Sequence, residues 1–237
     1  MVSRFVGGLM PADLVTLGNA AVGFLAIVIA PANPELAARL VLLAAVADGL
    51  DGVVARAFGG SEVGPYLDSL ADVASFGVAP AVLVYVILVD LEFTAVPGTV
   101  GTVVLFGVPA LFVAVAVLRL GFYSAYDTAE TKTVGAPSTL AATVLGTLVL
   151  TAHWDANAYL IATFAMTAAM IAPIDYPDLL ARDALLMGGI HVLAVAMPQF
   201  YGRVFPFALL TLALAYLLLA PAFYWGESER RLRDARA

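Results

Sequence analysis

Long apolar runs, separated by short polar segments, occupy most of this chain. Because the hydrocarbon core of a bilayer is about 30 Å thick, a helix needs about 20 consecutive apolar residues to cross it. Lipid offers the backbone no hydrogen-bond partner, so such runs are expected to form helices. We therefore predict an all-α fold, a polytopic transmembrane helical bundle that forms a single domain over residues 1–237. The predicted spans number about eight and cover residues 14–30, 36–58, 67–89, 99–120, 137–152, 159–174, 185–200 and 205–225.

The composition agrees with a membrane protein and narrows the range of partners. Hydrophobic residues make up 62% of the chain and charged residues 12%, whereas a soluble domain is about half apolar and about a quarter charged. The chain has no cysteine, which excludes a disulfide framework and a thiolate metal site. Its formal net charge of -7 argues against nucleic acid as a partner. Membrane lipids are the predicted surroundings.

The basic residues predict how the bundle is oriented. Cytoplasmic loops of membrane proteins carry an excess of lysine and arginine. With eight spans and a cytoplasmic N-terminus, only Arg39 and Arg203 fall outside. We therefore predict a multi-pass protein of the cell membrane with both termini cytoplasmic. The nine basic residues that fall inside are Arg4, Arg56, Arg119, Lys132, Arg182, Arg230, Arg231, Arg233 and Arg236.

Four aspartates interrupt the apolar pattern where the second and third runs meet. Asp48 and Asp51 are three residues apart, and Asp68 and Asp72 are four apart. At these spacings each pair lies on one face of a helix. A polar, glycine-rich segment, 59–65, reverses the chain between the pairs, so both pairs are expected at one membrane face. Ionisable side chains at membrane depth usually mark a functional site.

Clustered aspartates resist ionising together unless a cation lies between them. Ligation by oxygen atoms alone favours a hard divalent ion such as Mg²⁺, Mn²⁺ or Ca²⁺ over zinc. Gly49, Gly52 and Ala55 leave the helix face beside the carboxylates almost bare, so a large ligand can approach the backbone. Arg56 follows one turn later, and its planar fork suits a phosphate. The residues therefore predict a metal-held diphosphate.

This pattern resembles the signature of the CDP-alcohol phosphotransferase family. The segment LDSLADVASFGVAP, 67–80, is similar to the branch of that family that uses serine. The resemblance implies transfer of a phosphatidyl-type group, diacylglycerol phosphate or archaeol phosphate, from a CDP-linked lipid to the hydroxyl of L-serine, with release of CMP. It also implies one or two Mg²⁺ or Mn²⁺ ions and a homodimer. The matching residues are Asp48, Asp51, Gly52, Ala55, Arg56, Gly64, Asp68 and Asp72.

The resemblance also implies a role for each matching residue. The four aspartates would hold the metal, and Asp72 would also be the general base. Arg56 would bind phosphate. The CDP-lipid would lie against small residues and against the start of the first span, that is, Gly52, Ala55, Gly64, Thr16 and Asn19.

The acceptor residues are predicted from the remaining basic side chains on the cytoplasmic side. Arg119 and Lys132 are too few for a second phosphate site but sufficient for one carboxylate, which favours serine over glycerol phosphate or inositol phosphate. Ser138 and Thr139 open the fifth span on the same face and would add hydroxyl contacts. For Arg119 the alternatives are snorkelling to lipid headgroups and bracing the aspartates from behind.

Two other classes of protein place aspartates in membranes. A divalent cation transporter is expected to bind its ion near the midplane on broken helices, whereas these aspartates lie towards one face beside an arginine. An aspartyl intramembrane protease needs two aspartates that share a proton, and four that share a cation fit it poorly. The transferase is therefore the favoured function, with the active site at the cytoplasmic face.

Overall fold

The computed structural model describes residues 8–91, 93, 99–127, 132–151, 154–177, 179 and 181–225. Within these ranges the regular secondary structure is helical apart from two short strands, β1 (Lys132–Val134) and β2 (Asp175–Pro177). Two π-helical segments, Val73–Val78 and Tyr123–Asp127, extend α-helices. The α-helices are α1 Pro11–Ile29, α2 Pro34–Phe58, α3 Gly64–Asp72, α4 Ala79–Asp90, α5 Thr99–Phe122, α6 Ser138–Thr151, α7 Ala156–Met170, α8 Ala181–Ala196 and α9 Val204–Phe223.

Each predicted span overlaps a helix, and the all-α membrane character is confirmed. Among the described residues, four helical stretches are long and apolar enough to cross a membrane: Pro11–Ile29, Gly64–Asp90, Val100–Ala125 and Val204–Phe223. Helices α6 and α7 are apolar but shorter. The 25-residue α2 contains five charged residues, including Asp48 and Asp51. The count of eight spans stays a prediction, as does the orientation, since residues 1–7 and 226–237 lie outside the described ranges.

Polar residues in the loops cap the starts of two helices, α2 and α7. The Asn33 side chain accepts a hydrogen bond of 2.9 Å from the Leu36 amide, and Pro34 occupies the first turn of α2. Asp155 caps α7 in the same way through the Ala158 amide, also at 2.9 Å. Such caps satisfy amide groups that have no partner within the helix. The chain therefore turns sharply between α1 and α2, and the first turn of α2 is fixed by its cap and by Pro34.

Helix α2 lies at the centre of the bundle and contacts α1, α4, α6 and α8. Its buried face is lined by small side chains, and Ala37, Ala38 and Ala44 are fully buried. Small residues allow membrane helices to approach closely. Val41 and Phe76 fill the space between α2 and the neighbouring helices. This packing fixes the helix that carries Asp48 and Asp51.

A π-helical turn, Val73–Val78, follows Asp72 where the sequence predicts an uninterrupted span. Pro80 begins α4 just beyond it and lacks an amide hydrogen, so the Phe76 carbonyl loses its α-helical partner. The turn also brings Ser75 against α1. A Cβ atom on Gly23 would lie 2.9 Å from the Ser75 Cα atom, so only glycine permits this contact. π-Helical turns of this kind are frequent at functional sites.

The two arginines that fall on the predicted outer side each bind a helix carbonyl. Arg39 Nε donates to the Val195 carbonyl at 2.7 Å, near the end of α8. Arg203 Nη1 donates to the Leu150 carbonyl at 2.6 Å, near the end of α6. Cations are favourable at the carboxyl ends of helices, where carbonyl groups have no partner within the helix. Packing within the bundle therefore explains both exceptions to the charge pattern.

The β1–β2 ladder is a feature that the sequence did not predict. The strands pair antiparallel, with Thr133 opposite Tyr176 and Val134 opposite Asp175. They lie in two polar segments that are 43 residues apart at Lys132 and Asp175. Strands of three residues are too short to show an alternating pattern in the sequence.

Candidate active site

Three of the four predicted aspartates converge. Asp48 lies on α2, while Asp68 and Asp72 lie on α3, and one carboxylate oxygen from each is within 4.8 Å of the others. Asp72 is buried, and Asp48 and Asp68 are half-buried. The i and i+4 spacing on α3 directs its two aspartates to the same side, towards α2. The predicted juxtaposition of the two helices at their carboxylates is therefore present.

The fourth aspartate, Asp51, lies beside this cluster and is directed to α1. Its Oδ2 accepts a 2.7 Å hydrogen bond from the Thr16 hydroxyl. Both side chains are buried, which strengthens the hydrogen bond between them. Thr16 therefore holds Asp51 in one orientation.

Asn19 lies on α1 one turn after Thr16 and reaches the cluster as well. Its side chain is fully buried, and its Nδ2 lies 3.5 Å from Asp72 Oδ1. The Ser75 hydroxyl donates to the Asn19 backbone carbonyl at 3.0 Å, so the π-helical turn fixes this part of α1. Thr16 and Asn19 were predicted to border the nucleotide. The structure places both directly on the aspartates.

The residues present fit a divalent cation. Asp68 Oδ1 and Asn19 Oδ1 are buried and have no hydrogen-bond partner among the residues that the structure describes. A buried carboxylate oxygen without a partner is costly unless a cation or a water molecule binds it. The available donors are all oxygen atoms, the kind that Mg²⁺ and Mn²⁺ prefer. Asp48, Asp68 and Asp72 are therefore suited to hold such an ion, with Asp51 adjacent.

The predicted slot beside the aspartates is open at Gly52. A Cβ atom there would contact only Arg56 Nη1, at 3.6 Å. Arg56 is exposed and Ala55 half-buried on the same part of α2. Gly64 differs, because a Cβ atom would lie 3.3 Å from Asp13 Oδ1 and 3.5 Å from Ser61 Oγ. A side chain at position 64 would therefore crowd Asp13 and Ser61, and this is one reason for glycine there.

Asp13 is a structural residue that the sequence analysis missed. Its side chain is buried and accepts a 2.7 Å hydrogen bond from the Met10 amide and a 3.0 Å one from the Ser61 hydroxyl. Asp13 thus joins the start of α1 to the loop between the two aspartate pairs. An acidic residue three positions after a helix cap was the available signal.

The predicted acceptor residues form a second group next to the aspartates. Arg119 is buried at the end of α5, and its guanidinium donates to Thr133 Oγ1 at 3.1 Å and to Ser138 Oγ at 3.4 Å. The ring of Tyr123 lies 5.5 Å from the guanidinium carbon. Thr139, the next residue of α6, donates to Asp48 Oδ2 at 3.4 Å. Thr139 therefore contacts the cluster directly, and Arg119 lies next to it through Ser138, the residue before Thr139.

Lys132 is placed differently from the other predicted acceptor residues. Its Nζ lies 2.7 Å from Asp175 Oδ2, so the two form an ion pair across the ladder.

A contact between Ser69 and Ser124, which the sequence did not predict, joins α3 to the segment that follows Arg119. Ser124 also donates to the Leu120 carbonyl at 2.8 Å. Each helix that carries aspartates is thus linked to this part of the chain, α3 through Ser69 to Ser124 and α2 through Asp48 to Thr139.

Comparison with known protein families identifies this arrangement. The model of the CDP-alcohol phosphatidyltransferase family matches residues 9–174, which include every predicted site residue. The chain belongs to this family. The predicted resemblance is thereby confirmed.

Relatives of this CDP-alcohol phosphatidyltransferase include an archaetidylserine synthase and proteins named CDP-diacylglycerol–serine O-phosphatidyltransferase. Archaetidylserine synthase of Methanothermobacter thermautotrophicus is 32% identical over 169 residues, which is 70% of this chain and 68% of that protein. The CDP-diacylglycerol–serine O-phosphatidyltransferase of Mycobacterium leprae is 32% identical over 198 residues, covering 80% of this chain but only 60% of that protein. The same-named protein of Methanocaldococcus jannaschii is 46% identical over 74 residues, 31% of this chain and 34% of that protein.

Gly52→Leu is expected to raise the KM for a CDP-linked lipid about tenfold or more. The leucine side chain would occupy space that the bound lipid needs, and such overpacking costs about 1–3 kcal/mol. The fold should remain intact, because no atom other than Arg56 Nη1 lies within 4 Å of the added Cβ. Initial rates over a range of CDP-lipid concentrations measure the effect. Gly18→Leu is the matched control, since Gly18 lies in α1 with nothing within 4 Å of an added Cβ. An unchanged KM for Gly52→Leu would contradict the slot.

Proposed function

We propose that this CDP-alcohol phosphatidyltransferase transfers diacylglycerol phosphate or archaeol phosphate from a CDP-linked lipid to L-serine, releasing CMP. The observation that carries this proposal is the contact between the two groups of the site, in which Thr139 of the acceptor group donates to Asp48 at 3.4 Å. An acceptor bound at Arg119 is therefore close to a diphosphate bound at the aspartates. The names of the two relatives, an archaetidylserine synthase and a CDP-diacylglycerol–serine O-phosphatidyltransferase, support serine as the acceptor.

The aspartates would hold Mg²⁺ or Mn²⁺ through Asp48, Asp68 and Asp72, with Asp51 completing the set. When bound, such an ion neutralises the diphosphate and stabilises CMP as a leaving group. Thr16 and Asn19 would orient Asp51 and Asp72, since each donates to the corresponding carboxylate. The first span would thereby support the metal ligands directly.

Asp72 would be the general base. The serine oxygen forms a bond to the phosphorus of the lipid phosphate while the bond from that phosphorus to the CMP oxygen breaks. The hydroxyl proton passes to the Asp72 carboxylate. The hydrogen bond from Asn19 Nδ2 would fix one oxygen of Asp72, and the other oxygen would accept the proton. Arg56 would bind a phosphate oxygen at the open face of α2.

Arg119 would bind the carboxylate of serine. Its hydrogen bond to Ser138 is long, at 3.4 Å. In the proposed complex a carboxylate oxygen replaces the Ser138 hydroxyl as the acceptor, because a charged acceptor binds a guanidinium more strongly. The freed Ser138 hydroxyl and that of Thr139 then lie beside the amino acid.

The proposal includes a place in the cell. Eight spans with both termini cytoplasmic would put the active site at the cytoplasmic face of the cell membrane. A homodimer in the bilayer is also proposed, from the resemblance to the family. Membrane lipids and the CDP-linked lipid would be the partners, with no nucleic acid.

The direct test is release of radiolabelled CMP by the purified protein from CDP-diacylglycerol and from CDP-archaeol, with L-serine and with Mg²⁺ or Mn²⁺. We expect release that requires both serine and a divalent ion. A parallel sample with EDTA establishes the metal requirement. Absence of CMP release with every acceptor offered would refute the transferase, and ion uptake into vesicles would then favour a cation transporter.

Arg56→Lys is expected to raise the KM for CDP-lipid about threefold to tenfold, the usual loss for one hydrogen bond, because a single ammonium replaces a fork that engages two phosphate oxygens. The KM for serine should not change. Arg182→Lys is the matched control, since the Arg182 side chain is 88% exposed. If wild type and Arg56→Lys have the same KM for CDP-lipid, Arg56 makes no bidentate contact with phosphate.

A further inference from the structure

The β1–β2 ladder lies between the acceptor group and α9, and it holds Arg119 from one side. Thr133, the middle residue of β1, accepts the 3.1 Å hydrogen bond from Arg119 Nη2. Successive side chains of a strand point to opposite faces. Thr133 is accordingly buried towards Arg119, while its neighbours Lys132 and Val134 are more exposed. The position of Arg119 therefore depends on where β1 lies.

Two tyrosines anchor β2 to α9. The Tyr176 hydroxyl donates to the Leu217 carbonyl at 3.1 Å, and the Tyr216 hydroxyl donates to the Pro177 carbonyl at 2.6 Å. Their ring centroids are 6.0 Å apart. Tyr176 is buried and lies opposite Thr133 in the ladder. A rigid helix thus supports the strand pair at the residue that faces Thr133.

The chain that follows β1 is fixed to the end of α7. The Gly135 amide donates to the Ile174 carbonyl at 2.8 Å, and the Ala136 amide donates to the Ala169 carbonyl at 2.9 Å. Gly135 has a φ of 79°, and an added Cβ would lie 2.1 Å from the Met170 carbonyl oxygen. Only glycine fits there. This tight connection leads within three residues to Ser138 and Thr139.

Lys132 and Asp175 form a diagonal pair across the ladder. Lys132 lies opposite Pro177, and Asp175 lies opposite Val134, yet Lys132 Nζ is 2.7 Å from Asp175 Oδ2. Long side chains reach diagonal neighbours on one face of a strand pair. The pair lies on the opposite face of β1 from Thr133. The Lys132 ammonium is therefore directed away from Arg119 and joins the two strands.

We propose that the β1–β2 ladder is a positioning device for the acceptor site, in which Lys132 acts through Asp175 and not by contact with the acceptor. This proposal rests on the proposed function only in naming serine as that acceptor. Loss of the Lys132 and Asp175 pair lets the strands shift, and Thr133 and Ser138 then hold Arg119 less well. The expected consequence is weaker acceptor binding with unchanged CDP-lipid binding.

A charge exchange tests the proposal. The variants Lys132→Asp, Asp175→Lys and the double variant are purified, and KM values for serine and for CDP-lipid are measured. Each single variant should raise the KM for serine about fivefold, as expected for a partly exposed ion pair replaced by like charges. The double variant should return it to within about twofold of wild type. Arg182→Asp carries the same charge change as Lys132→Asp at an exposed position and should leave both KM values unchanged.

Hydrogen–deuterium exchange of the peptide that contains Gly135 gives a readout that needs no acceptor. Protection of this segment should fall in both single variants and return in the double variant. The proposal is overturned if the double variant stays as impaired as Lys132→Asp while Asp175→Lys keeps a normal KM for serine, because Lys132 then contacts the acceptor itself. Unaltered exchange in both single variants also overturns it. If wild type fails to use serine, the proposed function fails, and the exchange experiment still decides whether the pair holds the ladder.

Discussion

We expect no detectable CMP release from Asp68→Asn, and the same from the corresponding variants of Asp48, Asp51 and Asp72. Asparagine keeps the shape of aspartate but lacks the charge that a divalent ion requires. At Asp72 the loss of the general base alone should lower kcat by about 10²–10⁴-fold. The assay is CMP release from CDP-lipid at saturating serine. Asp90→Asn is the matched control, because Asp90 is exposed at the far end of α4.

Binding of Mn²⁺, followed by the electron paramagnetic resonance of the free ion, shows which of the aspartates bind the metal. Asp68→Asn should weaken Mn²⁺ binding, because Asp68 Oδ1 is buried and lacks a hydrogen-bond partner among the described residues. The fold should persist, since removing one buried charge from a group of like charges relieves repulsion. Retained activity in Asp68→Asn would refute the metal assignment. An inactive variant with wild-type Mn²⁺ affinity would assign Asp68 a role in chemistry instead.

Arg119→Ala should raise the KM for serine about tenfold to a hundredfold, the range for losing charge-assisted hydrogen bonds. The KM for CDP-lipid should change far less. The KM values for both substrates, measured separately, distinguish this role from the alternatives for Arg119. If Arg119 instead braced the aspartates, Arg119→Ala would lower kcat and alter both KM values. Snorkelling of Arg119 to lipid headgroups disagrees with its burial, since the residue is only 8% exposed. Arg119→Lys serves as a second variant that keeps the buried charge.

A panel of acceptors completes this prediction. Serine should support CMP release, and glycerol 3-phosphate and inositol 1-phosphate should not, because a phosphate acceptor needs more cationic donors than Arg119 supplies. Serine methyl ester, which lacks the carboxylate, should be a poor acceptor for wild type and no worse for Arg119→Ala. Turnover with either phosphate and none with serine would change the acceptor while leaving the transferase chemistry in place.

Local sequence was sufficient for the helices and for the aspartate pairs. A run of apolar residues in lipid has few options other than a helix, and every predicted span overlaps one in the structure. The spacing of Asp68 and Asp72 likewise required only the period of the helix. Asn33, Pro34 and Asp155 act at helix starts because capping depends on neighbouring residues alone.

Contacts between distant parts of the chain had no comparable signal. Thr16 and Asp51 are 35 residues apart, and Asn19 and Asp72 are 53 apart. The π-helical turn after Asp72 depends on Pro80 together with the packing of Ser75 on Gly23. Each of these features decides how an aspartate is held. None follows from the residue types on one helix.

Sequence by itself determined that this is a helical membrane protein with two aspartate pairs and an arginine suited to a diphosphate. The helical period, the length of the apolar runs and the positions of the charged residues can all be read along the chain. Only the tertiary structure decided that three aspartates cluster while Asp51 turns to Thr16, and that Arg119 joins Ser138 whereas Lys132 joins Asp175. The physical reason is that a side chain's partner depends on how helices and strands pack in space. At Lys132 the alternation of a three-residue strand, formed with a segment far along the chain, sets the direction of the charge.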